Sequence, residues 1–119
     1  MDSVPLLKRG EAAIPAGTVI RGFPRIRVAA VNPSIGFAPG VTLIFTPKKS
    51  RSSHRPCRIT VRSMQINHQP VDAVQPGQAC GIELDCPNNK MPERGDTVWL
   101  VTPEGGEVDF PPPGLSFPT

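Results

Sequence analysis

Proline and glycine punctuate this chain so often that no helix of useful length can be drawn through it. Sixteen prolines and eleven glycines are spread over 119 residues. Proline removes a backbone donor, breaks a helix interior and sits poorly in a central strand. No segment offers apolar residues at helical spacing over three turns. What remains is a set of short strands joined by turns, which predicts an all-β fold, a small antiparallel β-barrel. The length suits one compact unit with a modest core.

The strands can be placed coarsely. Thr18 to Ile20 reads as a short strand after Gly17. Arg25 to Val31 alternates, with Ile26, Val28 and Ala30 expected inward. Ala38-Pro39-Gly40 forms a turn before a strand from Val41 to Thr46, where Ile44 opposes Val41, Leu43 and Phe45. Apolar residues on both faces there predict a strand running through the core. Arg58 to Ile66 follows, but Ile59 and Val61 share one phase while Met64 and Ile66 share the other. An extra residue near Arg62-Ser63 resets the phase, as a β-bulge does. Ala79 to Leu84 and Thr97 to Val101 complete the set. The expected core is Ile26, Val28, Val41, Leu43, Phe45, Ile59, Val61, Ile82, Leu84, Val98 and Leu100. Trp99 alternates with Val98 and Leu100, so it points outward, with packing against the tail as its expected role. Residues 1–16 read as irregular, 17–103 as the barrel, and 104–119 as a Pro-rich tail.

The order of strands and corners from Thr60 to Val98 carries a resemblance. A strand leads into the polar turn Ile66-Asn67-His68-Gln69. A Pro76-Gly77 corner precedes the next strand, and a Gly95-Asp96 corner precedes the last. This resembles the second, β-barrel domain of the translational GTPases, the elongation factor Tu and elongation factor 1-alpha class. Upstream, Ser34 to Pro47 is similar to the strand and glycine corner of that domain. The resemblance covers roughly Gly17 to Pro103 and implies a barrel of the translation-factor domain 2 type, detached from its GTPase domain. It implies contacts to tRNA ends, ribosomal RNA or a partner domain. Gln78 stands where the family usually has an aspartate, and no tRNA-end residues are carried over.

GTP hydrolysis is not implied. No phosphate-loop motif occurs, and Asn89-Lys90-Met91-Pro92 lacks the aspartate of a guanine-reading motif. Nucleotide binding and cofactors are therefore not expected. No C-x-x-C or H-x-x-x-H spacing supports a metal site among Cys57, Cys80, Cys86 and the histidines. Nothing places a nucleophile beside a base or pairs two carboxylates, so no catalytic residues are expected. Cys80 sits among apolar neighbours as a small core residue. Arg94-Gly95-Asp96 matches an adhesion tripeptide, but it falls at a turn that the barrel needs.

Charge supplies the candidate surface. The net charge is +3, but eleven Lys or Arg against two Asp or Glu precede Ser63, and two against eight follow. The basic residues Lys48, Lys49, Arg51, Arg55, Arg58 and Arg62 cluster around a Ser-rich stretch with the look of an exposed loop. Such a loop attracts a phosphate backbone, or it simply keeps a hairpin soluble. His68 joins the set either as an RNA-contacting side chain or as a plain turn residue. The expectation is a non-catalytic module docking on RNA, the ribosome or another ribonucleoprotein. The alternative is a domain that pairs with a separate GTPase or other protein subunit, with the Pro-rich tail engaging a partner. Three cysteines without a framework pattern suit a reducing compartment, and the location expected is cytoplasmic. No apolar run approaches the ~20 residues of a membrane span, and Met1 to Gly10 lacks the apolar region of a signal peptide.

Overall fold

The computed structural model describes residues 4–48, 56–86 and 91–103. Among these residues eight strands make one antiparallel sheet: β1 Glu11–Phe23, β2 Val28–Pro33, β3 Thr42–Thr46, β4 Cys57–Thr60, β5 Met64–Ile66, β6 Gln69–Val71, β7 Cys80–Glu83 and β8 Thr97–Pro103. Across the sheet the order is β4-β3-β8-β1-β2-β7-β5-β6. No helix occurs among the described residues. β4 and β5 are halves of one chain segment. The first half pairs with β3 and the second with β7. Since β3 and β7 lie far apart in the order, the sheet curls until both flank that segment. The all-β, barrel-like fold is the one the turn spacing predicts.

The phase reset expected at Arg62-Ser63 is present. Ile59, Val61 and Met64 all face the core, while Arg62 and Ser63 are both exposed. Two outward residues stand where strict alternation allows one. The kink moves the chain from one partner to the other. Val61 N–H still donates to Val41 O at 2.9 Å, and Ser63 O accepts from Glu83 N–H at 3.4 Å.

β1 begins at Glu11, inside the stretch read as irregular. It pairs with β8 from Glu11↔Pro103 onward and with β2 as far as Phe23↔Val28. A long strand shared by two neighbours in a curled sheet must bend. Its register shifts between Pro15 and Gly17 and again between Val19 and Arg21. At the first bend a Cβ on Gly17 would lie 2.5 Å from the Asn32 carbonyl oxygen, so no side chain fits there.

The core gathers Leu43, Phe45, Ile59, Val61, Ile82, Leu84 and Val98, with Val41 and Leu100 packed against it. Ile44 is fully buried on the opposite side of β3, as a strand with two apolar faces requires. One expected strand is out of phase. Arg25, Ile26 and Arg27 belong to the turn between β1 and β2. Ala29 and Val31 point inward at 0% exposure, whereas Ile26 is 66% exposed. Both phases of this stretch carry apolar residues, so alternation cannot choose between them, and packing does.

Two of the cysteines depart from expectation, while Cys80 lies in the core as expected. Cys57 and Cys86 form a disulfide across 29 residues of sequence, and Cys80 stays a buried free thiol. The bridge ties the start of β4 to the segment that follows β7. Burial pushes the Cys80 thiol up to about 11.

Candidate binding groove

The outer face of the sheet carries a trough. Its floor follows from the register: Arg21 aligns with Ala30, Ala30 with Gly81, and Gly81 with Gln65. Ala30 and Gly81 are the two smallest side chains in this row. A Cβ added at Gly81 would come 3.3 Å from Val28 Cγ1 and begin to fill the hollow. Phe23 and Ile26 stand along one side and Asn67 and His68 along the other, enclosing about 350 Å³.

The walls are built locally. Pro24 to Arg27 turn the chain from β1 to β2, with Arg27 held at φ 56. The Arg27 carbonyl accepts from Leu84 N–H at 2.8 Å, and its guanidinium donates to the Cys86 carbonyl. These contacts fix the hairpin end and leave Ile26 turned to solvent. On the other side, Asn67 and His68 have φ 52 and 65 and join β5 to β6 with two residues. This is the left-handed pair that a tight hairpin requires, normally made with glycine at the second place. A histidine there stores local strain and holds its ring at the groove rim.

Charge at the rim is one-sided. The Arg21 guanidinium lies 5.1 Å from the centre of the Phe23 ring. Among the described residues, no carboxylate stands at ion-pair distance from Arg21. Glu83, which lines the neighbouring cleft, accepts from Ser63 Oγ at 2.9 Å.

A second cleft of about 330 Å³ opens where β4 and the segment after β7 diverge, among Arg25, Arg27, Thr60, Arg62, Glu83 and Asp85. It is polar, and Arg62 pairs with Asp85 at 3.0 Å. Both side chains of that pair are mostly exposed, so it contributes little to stability.

The basic residues singled out from the sequence do not converge. Arg58 is gripped by Glu11 through two contacts of 2.8 and 2.9 Å and donates to the Leu6 carbonyl at 3.0 Å. The Arg58 hydrogen bonds and the Lys8 backbone N–H hold the Glu11 carboxyl well down, at about 2. Arg62 faces Asp85, and His68 lies on a separate hairpin beside the apolar groove. Lys48 adjoins the Gly95-Asp96 corner. Lys49, Arg51 and Arg55 lie outside the described residues. Among those described, no cluster of three or more His, Cys, Asp or Glu could hold a metal ion. No described helix is long and apolar enough to cross a membrane.

Sequence reasoning placed Ile26 inside and passed over the groove. The available signal was local: Ile26 sits two residues after Pro24 and between two arginines. That context marks a turn more strongly than a strand.

No protein-family model matches the chain, and no curated protein does. Solved structures do. Two are crystal structures of the C-terminal domain of a U32 peptidase family protein from Geobacillus thermoleovorans, one of them a selenomethionine variant. Each aligns with a TM-score of 0.59 at 17% identity over 71% of this chain, covering 96% and 89% of the other. Identity this low shows a shared fold. It also overturns the resemblance to the second domain of the translational GTPases, because these neighbours belong to a different family. The sequence features behind that resemblance were a Pro-Gly corner, a Gly-Asp corner and the strands between them. Any small antiparallel barrel needs such turns, so they report architecture and not ancestry.

Proposed function

We propose that this chain is a non-catalytic binding module that seats a protein partner in the groove between the Pro24–Arg27 turn and the Asn67–His68 turn. One observation carries the reading: large apolar side chains, Ile26 at 66% and Phe23 at 36% exposure, flank a floor cleared by Ala30 and Gly81. Apolar groups gathered around a hollow are what an interaction surface offers. Arg21, stacked on the Phe23 ring and without a carboxylate partner among the described residues, selects a partner segment that carries a carboxylate beside apolar residues. The solved structures that share the fold are each one domain of a larger protein, and we extend to this chain the role of an accessory domain. An RNA footprint draws less support, since Arg58 and Arg62 already face carboxylates.

A photo-crosslinking residue at position 26, with one at exposed Ala73 as control, tests this in cells. Protein adducts formed at 26 and not at 73 are expected. Nuclease-sensitive adducts, or none, would overturn the protein reading.

The compartment belongs to the same proposal. The expected cytoplasmic address rested on cysteines without a framework, and the Cys57–Cys86 bridge removes that ground. Non-reducing mass spectrometry on chain taken from its own cells decides the matter. A bridged pair points to oxidising surroundings, and two free thiols point to the cytoplasm.

A further inference from the structure

We propose that the groove receives the Glu107-Val108-Asp109-Phe110 segment of a second copy of this chain. The inference rests on the protein-binding reading above and names its occupant. Three arguments lead to it.

The first is chemical fit. The slot asks for a flat or bulky apolar side chain against Ala30 and Gly81, between Ile26 and His68. It also asks for negative charge beside Arg21, which lies over the Phe23 ring and which no described carboxylate pairs. Within the 104–119 stretch, Phe110 follows directly on Asp109, and Glu107 lies two residues earlier. Opposed charges at such a rim speed and orient docking.

The second is the cost of ordering. Phe110 is followed by three prolines. Proline fixes φ before binding, so an extended segment ending there loses less freedom when it docks.

The third is reach. Pro103 pairs with Glu11, at the opposite end of β1 from Phe23. Twelve residues of strand separate these ends, a contour of about 40 Å. Phe110 lies seven residues beyond Pro103, so fully extended chain carries it only about 25 Å. β1 bends twice, so that contour is an upper limit on the span, and a neighbouring molecule can present the segment with no such span to cross. Reciprocal exchange of the two segments would close a symmetric pair.

The test uses the full chain. Sedimentation should show wild-type self-association that strengthens with concentration and weakens with salt. Ile26→Asp, in the groove, and Phe110→Ser, in the segment, should each abolish it. Mixing these two variants should restore association, since one keeps the groove and the other keeps the segment. A synthetic peptide of residues 104–113, titrated into the Phe110→Ser chain, should shift the amide signals of Ala30, Gly81 and Gln65. Arg21→Glu should weaken that peptide about tenfold while the fold stays intact. A wild type that stays monomeric at millimolar concentration would overturn the proposal: with a silent peptide the segment does not fit the groove, and with a responding one it fills its own. Adducts at position 26 with some other protein would then show that the module reading survives it, and their absence would show that both fall.

Discussion

Asp96 holds the backbone of Lys48. The Lys48 N–H donates to Asp96 Oδ1 at 3.1 Å, and the Glu93 N–H donates to Oδ2 at 2.9 Å. Asp96 is only 2% exposed. One carboxylate thus secures both the corner before β8 and the chain leaving β3. It also removes the Arg94-Gly95-Asp96 tripeptide from display, because the acid that an adhesion receptor would read faces inward. Replacing it leaves two partly buried backbone donors without their acceptor. Asp96→Ala is expected to cost about 2–3 kcal/mol in denaturant unfolding. Asp96→Asn, which keeps one acceptor, should cost less. A loss below about 0.5 kcal/mol for the alanine variant would show that the corner does not depend on this side chain.

The Cys57–Cys86 bridge closes a loop with a sequence separation of 29. Loop-closure entropy for that length gives about 3–4 kcal/mol of stabilisation. Unfolding midpoints with and without reductant, compared with a Cys57→Ser/Cys86→Ser double variant, should show it. Reductant should leave the double variant unchanged. Cys80 provides a second reading. Its buried thiol, pushed up to about 11, should resist alkylation at pH 8 until the protein unfolds.

Acid should weaken the protein through Glu11. Its folded value of about 2 lies below the ordinary 4.5, so the unfolded chain binds the proton more readily. The Arg58 contact therefore contributes fully above pH 4.5, and its contribution is lost as pH falls toward 2. Glu11→Gln should flatten the stability profile between pH 5 and 2 and leave the slope at higher pH unchanged. An identical acid limb in wild type and variant would assign the acid sensitivity to other groups.

Two isoleucine and leucine truncations separate the groove from the core. Leu43→Ala, at a fully buried position, should cost about 2–5 kcal/mol. Ile26→Ala, at 66% exposure, should stay within about 0.5 kcal/mol. A large loss at Ile26 would return it to the core, where alternation alone would place it.

How legible this fold is in its sequence varies by element. The kink at Arg62-Ser63 can be read because Ile59, Val61 and Met64 leave no other phase. The turns at Gly77 and Gly95, with φ 81 and 89, can be read because few residues tolerate such a backbone. The turn from Pro24 to Arg27 is harder, since Ile26 and Val28 compete with Ala29 and Val31 for the inside. The Cys57–Cys86 pair could not be read at all, because it depends on how far the sheet curls. The groove depends on register: Ala30 and Gly81 become neighbours only once β2 and β7 are paired.

The place of β8 between β3 and β1 has a consequence for synthesis. Glu11 finds its partner only when Pro103 has been made. A ribosome delivers residues in order, so β1 and β3 each wait with an unpaired edge for most of translation. Their pairing is non-local and slow to close. The nascent chain is therefore most open to wrong partners in the interval before β8 emerges, and a helper that covers a bare strand edge would act at that moment.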